Sequence, residues 1–323
     1  MHIPDGVFEP PVIAVTTVIG AVGLAYACAR LKDQLRERTV ALMGSMAAFV
    51  FAAQMVNFPL YPLPISGHLL GGVLAAVLLG PWAGAGVIAA VLLVQCLLFQ
   101  DGGLTALGAN FINMGLIGSV GGYAIYMPIR RMIGGRKGIL IGAMLASWFS
   151  VILASGAFAV ELAASGNRAD FLRILGLITL VHAGIGLGEA LITGLVLRMI
   201  LVTRPDLLEN GETRDTEPRK RWGEVALSGL ALAAVVAIFL APFASREKDG
   251  LEYVGTRLGF LDEEAPAILA SPIPDYTMPG LGNYERFATS AAGLVGTIVV
   301  FVAGAGLARV FAAPGAKVSL DEV

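Results

Sequence analysis

Charge is what this sequence lacks most. Only 14% of its 323 residues are Asp, Glu, Lys or Arg, against 56% hydrophobic ones, whereas soluble domains carry about 25% charged residues. A soluble enzyme is excluded on composition, and the mean hydropathy of +0.78 indicates a membrane protein. The net charge of -2 supplies no basic field for nucleic acid. Cysteine is scarce too. Cys28 and Cys96 both lie in apolar runs, at a spacing that fits neither a zinc motif nor an exposed disulfide, so they read as small core residues. No G-x-x-x-x-G-K followed by Ser or Thr occurs, which excludes a nucleotide-binding P-loop. Neither a fixed-period repeat nor an inverted pair of halves is present. If the chain serves uphill transport, the energy comes from a partner.

No Lys or Arg precedes Arg30, so the first apolar run, Val12 to Ala29, lacks the basic flank of a secretory signal. The basic cluster RLKDQLRER follows that run, and the positive-inside rule makes it an uncleaved signal anchor with its N-terminus outside. Further runs of roughly 20 apolar residues, enough to span a bilayer, are 39–57, 104–127, 139–164, 171–200, 225–243 and 287–310. As one helix, 69–99 would measure about 46 Å, too long for a hydrocarbon core of about 30 Å. Gly80-Pro81 breaks it in two. Two spans there keep Arg130, Arg131, Arg136 and Lys137 on the side of RLKDQLRER. Nine spans result, N-out and C-in.

The polar, proline-containing segment 201–222 reads as a cytoplasmic linker. Seven spans precede it in a unit of residues 1–200. Two follow, in residues 223–323, separated by an extracytoplasmic loop over 244–286. The expected fold is an all-α membrane protein, a seven-helix bundle followed by a two-helix hairpin.

Histidine numbers three, and one of them is residue 2. In MHIPDG the terminal amine and the His2 amide nitrogen can close a five-membered ring on a metal, and the amide with the imidazole Nδ1 a six-membered one. Tetragonal nitrogen sites of this kind suit Ni²⁺ and Cu²⁺, with Co²⁺ weaker. His68, in NFPLYPLPISGHLLGG, falls on the same side at the head of the third span, where Pro59, Pro62 and Pro64 stiffen the loop. It is the natural fourth donor. Pro4 and Asp5-Gly6 would fold the N-terminal arm back toward it. Taken alone, His2 reads as a disordered terminal residue and His68 as a surface or satisfied one; two on one side, each shaped by prolines, favour a metal.

Asn110 and Asn113, in LGANFINMG, share a helix face and are candidates to orient a ligand imidazole, while amides in spans are commonly packing devices. His182 shares a face with Glu189, seven residues on, which suits an intramembrane hydrogen bond or a partner contact. The structural reading is preferred, the functional one kept.

MHIPDG, SGHLLGG, DGGLTALGANFINMG and HAGIGLGEALITG together resemble the CbiM/NikM family, the substrate-binding S components of energy-coupling-factor transporters for cobalt and nickel. The resemblance covers about the first 200 residues. It implies metal held by Met1, His2 and His68, and no catalysis. The partners it implies are a transmembrane T component and two ABC-type ATPases, in a bacterial or archaeal cell membrane. From about Arg221 the chain resembles the CbiN/NikN-like or PDGLE-type accessory domain. Lys248 stands where that motif has Pro, and Asp249, Gly250, Leu251 and Glu252 match it.

The expected function is capture of Ni²⁺ or Co²⁺ on the extracytoplasmic side for ATP-driven import. A stand-alone metal channel or carrier, or a metal-dependent intramembrane enzyme using Asp5 or Glu9 as general base, are the rivals.

Overall fold

A computed structural model of the chain describes residues 1–32, 37–166, 170–208, 219–261 and 268–311. Two proline-started helices show how the sequence punctuates itself. Helix α1 (Pro10–Leu31) opens on Pro10-Pro11, where a missing N–H removes no helical bond. Farther on, α3 (Gly72–Leu79) ends at Gly80, whose φ of 88° favours glycine. Pro81 then starts α4 (Pro81–Val94), which continues through a π turn over Gln95–Phe99. Because Gly84 has no Cβ, α4 folds back against the main chain of Ala75 and Ala76.

The remaining helices are α2 (Glu37–Gln54), α5 (Leu107–Asn110) running on as π helix through Phe111–Gly121 into α6 (Gly122–Ile133), α7 (Gly135–Ala164) and α8 (Phe171–Thr203). After these come α9 (Arg219–Val235), α10 (Gly250–Leu258) and α11 (Glu285–Phe311). A two-residue antiparallel pair joins β1 (Phe58–Pro59) to β2 (Ser66–Gly67) and shapes the loop before α3.

Among the described residues, six helices are long and apolar enough to cross a membrane, and the apolar stretch of α2, Arg38–Gln54, is shorter. The break expected at Gly80-Pro81 is present. Its first piece is only 8 residues, about 12 Å of helix. The helix over 104–127 expected from hydropathy begins at Leu107 and runs on to Ile133. Residues 209–218 of the segment read as a linker lie outside the described residues, and α8 extends to Thr203.

Helix α1 is apolar all round and leaves Val15, Val18, Ile19 and Val22 exposed, a face suited to lipid. Helices α7 and α8 pair along their length, and α2 is flanked by α9 and α11. Small residues permit that last contact: a Cβ on Gly304 would meet the Ala47 Cβ at 2.8 Å. Helix α11 thus packs into the main core through Ala292, Val300 and Ala308, while α9 meets α2 in a smaller apolar cluster at Ala233. Tyr276, from the segment between α10 and α11, stacks on Phe99 at 4.8 Å between ring centroids.

Candidate metal centre

The first nine residues run back over the bundle as an ordered arm. Asp5 Oδ1 accepts from the Thr105 amide at 2.8 Å and from its hydroxyl at 2.6 Å, and Gly6 turns with φ of 83°. Asn110 grips the main chain of Ile3 from both sides, accepting from Ile3 N at 2.8 Å and donating to its carbonyl at 3.0 Å. Gly103 N also donates to that carbonyl, at 2.8 Å. Ile3 is fully buried. Asn110 thus holds backbone rather than an imidazole, and Asn113 donates to Glu161 at 2.9 Å. Neither hydrogen-bonds an imidazole among the described residues; an amide can bracket a peptide unit with its paired donor and acceptor, and Asn110 is used that way.

That arm delivers the terminal amine of Met1 into direct contact with His68 Nε2. His68 Nδ1 lies 3.0 Å from the Leu69 carbonyl, which places its proton there and turns the Nε2 lone pair toward the amine. The His2 ring stands 5.1 Å from the His68 ring, tilted by 33°. Both of its nitrogens are buried without a hydrogen bond. Burial, then the positive charge of the terminal amine, lowers both imidazoles to about 3, so both are neutral. Buried polar nitrogens without partners are costly, and neutral imidazole is the form that ligates a metal.

His182 and Glu189 are both buried on α8 but do not bond each other. Glu189 accepts from the amides of Leu70 at 2.5 Å and Gly71 at 3.0 Å, pinning the turn just after His68. His182 Nδ1 lies 2.8 Å from the Ile178 carbonyl, and its Nε2 has no partner. With Met1, His68 and Asp249 it lines a cavity of about 10 Å³.

Three further groups stand beside these residues. Asp249 Oδ2 lies 3.1 Å from the Met1 amine and 3.9 Å from His68 Nε2. Burial alone would raise its carboxyl; the terminal ammonium and then His68 outweigh this and hold it well below the usual range. Asp101 Oδ1 lies 3.7 Å from His2 Nδ1, and its other oxygen accepts from the Tyr276 hydroxyl. Burial raises the Asp101 carboxyl, with the Tyr276 bond opposing. Gln95 Nε2 bridges Tyr276 at 3.2 Å to Gln54 at 2.9 Å, and Gln54 donates to Leu70 O at 2.9 Å. The carboxylates beside His2 and His68 are therefore Asp101 and Asp249, not the expected Asp5 and Glu9: Asp5 is spent on Thr105, and Glu9 is exposed. The D-G-L-E match marked Asp249, and nothing in local spacing linked it to residue 1.

Among the described residues, no three His, Cys, Asp or Glu side chains cluster as metal ligands. A nitrogen chelate built from the terminal amine and a main-chain amide needs only two histidines beside them.

An all-helical membrane protein with buried nitrogens at one end of its bundle defines the class, and comparison with known proteins places the chain within it. Residues 2–207 match the family model CbiM, cobalt uptake substrate-specific transmembrane region, and residues 223–313 match the PDGLE domain. The chain belongs to the CbiM family. It is 37% identical over 312 residues to the putative fused nickel transport protein NikMN of Archaeoglobus fulgidus, covering 96% of this chain and 98% of that one. The fused nickel transport protein NikMN of Rhodobacter capsulatus is 38% identical over 163 residues, half of this chain and 46% of that one. A crystal structure of a transition metal transporter superposes with a TM-score of 0.57 at 28% identity, over 66% of this chain and all of that one.

Proposed function

We propose that this chain is the substrate-capture subunit of an ATP-driven energy-coupling-factor importer for Ni²⁺ or Co²⁺. The ion is held by the Met1 amine, the His2 amide and imidazole nitrogens, and His68 Nε2. One observation carries this reading: the neutral, buried His2 nitrogens without partners lie beside a terminal amine already touching His68. Amine and His68 nitrogen take adjacent corners of the nitrogen plane, and coordination displaces their mutual hydrogen bond. The names carried by the relatives, nickel and cobalt transport proteins, support the same substrate.

The chain crosses the membrane nine times, N-terminus outside and C-terminus inside, with α3 and α4 as two short spans. Residues 1–200 form the capture unit, 201–222 the cytoplasmic linker and 223–323 the accessory unit. A transmembrane T component and two ABC-type ATPases supply the energy, because the chain has no P-loop. Capture releases protons from the nitrogen ligands. Purified chain is reconstituted into vesicles alone and with an energy-coupling module. Metal accumulation that needs the module and ATP supports the reading. Equal uptake by the chain alone would make it a channel or carrier instead.

A further inference from the structure

The accessory unit reaches the metal centre through one short motif, D-G-L-E, and each of its four residues has a physical task there. Asp249 is the N-cap of α10: its Oδ1 accepts from Glu252 N at 2.8 Å, and Glu252 returns a bond to Asp249 N at 3.0 Å. This capping box fixes the carboxylate rotamer and leaves Oδ2 pointing at the Met1 amine, 3.1 Å away. Gly250 lies against α8: a Cβ there would be 2.6 Å from Ile185 Cδ1 and 3.1 Å from His182 Cε1. Leu251 is fully buried. The segment is tied to the loop carrying His68 by Ser66 N donating to Lys248 O at 2.8 Å and Ser66 Oγ donating to Glu247 O at 2.7 Å.

We propose that Asp249 is a positioning residue for metal capture, holding the terminal amine at its corner of the site from the accessory unit. The inference rests on the chelate proposed above. A coordinated amine keeps N–H groups, so its bond to Asp249 survives when the ion enters and orients the ligand from outside the coordination shell. Capping and amine-holding use different oxygens of the same side chain, which makes them separable. Ser is as good an N-cap as Asp, yet offers the ammonium no charge and a shorter reach.

The experiment compares the full chain with Asp249→Ser and Asp249→Ala, in detergent, with a native N-terminus. Two readouts are taken: the rate at which an amine-directed reagent modifies Met1 N in metal-free protein, and Ni²⁺ affinity by titration. The proposal expects Asp249→Ser to unfold at the wild-type temperature while its terminal amine reacts about tenfold faster and its Ni²⁺ affinity falls about tenfold, the scale of one charge-assisted hydrogen bond. Asp249→Ala shows the same two changes with added loss of stability. If Asp249→Ser matches wild type in both readouts, Asp249 is only a helix cap and the proposal is overturned. If wild type binds no Ni²⁺ or Co²⁺ at all, the chelate reading fails, and the amine reactivity still decides whether Asp249 holds the arm.

Discussion

Glu189, deep in α8, accepts hydrogen bonds from the amides of Leu70 and Gly71, the latter at 3.0 Å. These amides stand at the head of α3, where helical N–H groups lack partners and a negative charge is favoured. Since His68 lies two and three residues before them, Glu189 sets where its imidazole sits. Glu189→Ala leaves both amides buried and unpaired, a cost of about 2–4 kcal/mol. Thermal unfolding should report that loss, and metal affinity should fall with it. Glu189→Gln keeps one acceptor and should lie between.

Asn110 acts on the arm rather than on the bundle. Asn110→Ala removes two bonds to Ile3, so the arm should detach while the helices stay packed. The expected outcome is metal affinity lowered by about tenfold or more, scaled from one to two lost buried hydrogen bonds, with little change in unfolding temperature. Protease sensitivity confined to the first residues would check the same point.

Gly67 borders His68 and faces α8. A Cβ there would come within 2.7 Å of Ile185 Cγ2, so Gly67→Ala must push β2 away from α8 and carry His68 with it. Metal affinity should drop. The double variant Gly67→Ala with Ile185→Ala should recover part of it, since the clashing branch is then gone.

Acid should undock the arm. His2 and His68 are held near 3 in the folded chain, against about 6.5 when exposed. An undocked arm therefore binds more protons than a docked one between these values, and docking weakens as pH falls from 6.5 toward 3. Modification of the terminal amine, corrected for the reagent's own pH dependence on an unstructured MHIPDG peptide, should become faster relative to the peptide as the pH drops. A constant ratio would contradict the shift.

How much of this was legible in the sequence varies with the range of the interactions. The break at Gly80-Pro81, the apolar helices and the run of amine, amide and imidazole nitrogens at His2 are local, written within a few residues of one another. The partnership of His68 with residue 1 was inferred from side-of-membrane parity, which needs only charges and span counts. Asn110 was marked as polar in an apolar run, but its partner, a peptide unit 107 residues away, was invisible. Asp249 and Tyr276 come from the other end of the chain, and long-range contacts bring them to the arm: α9 and α11 on α2, Ser66 to Lys248, and Tyr276 on Phe99. The short α3 was hidden because hydropathy counts apolar residues and does not say where the main chain turns.

The decisive measurement is Ni²⁺ and Co²⁺ binding to the purified chain with its native N-terminus, beside a form with several residues added before Met1 and beside His68→Ala. A terminal amine moved several residues away can no longer close the five-membered ring with the His2 amide. Stoichiometric binding in the native form, lost in both variants without loss of fold, is the predicted result. Equally tight binding by the extended form would contradict the chelate at Met1 and His2.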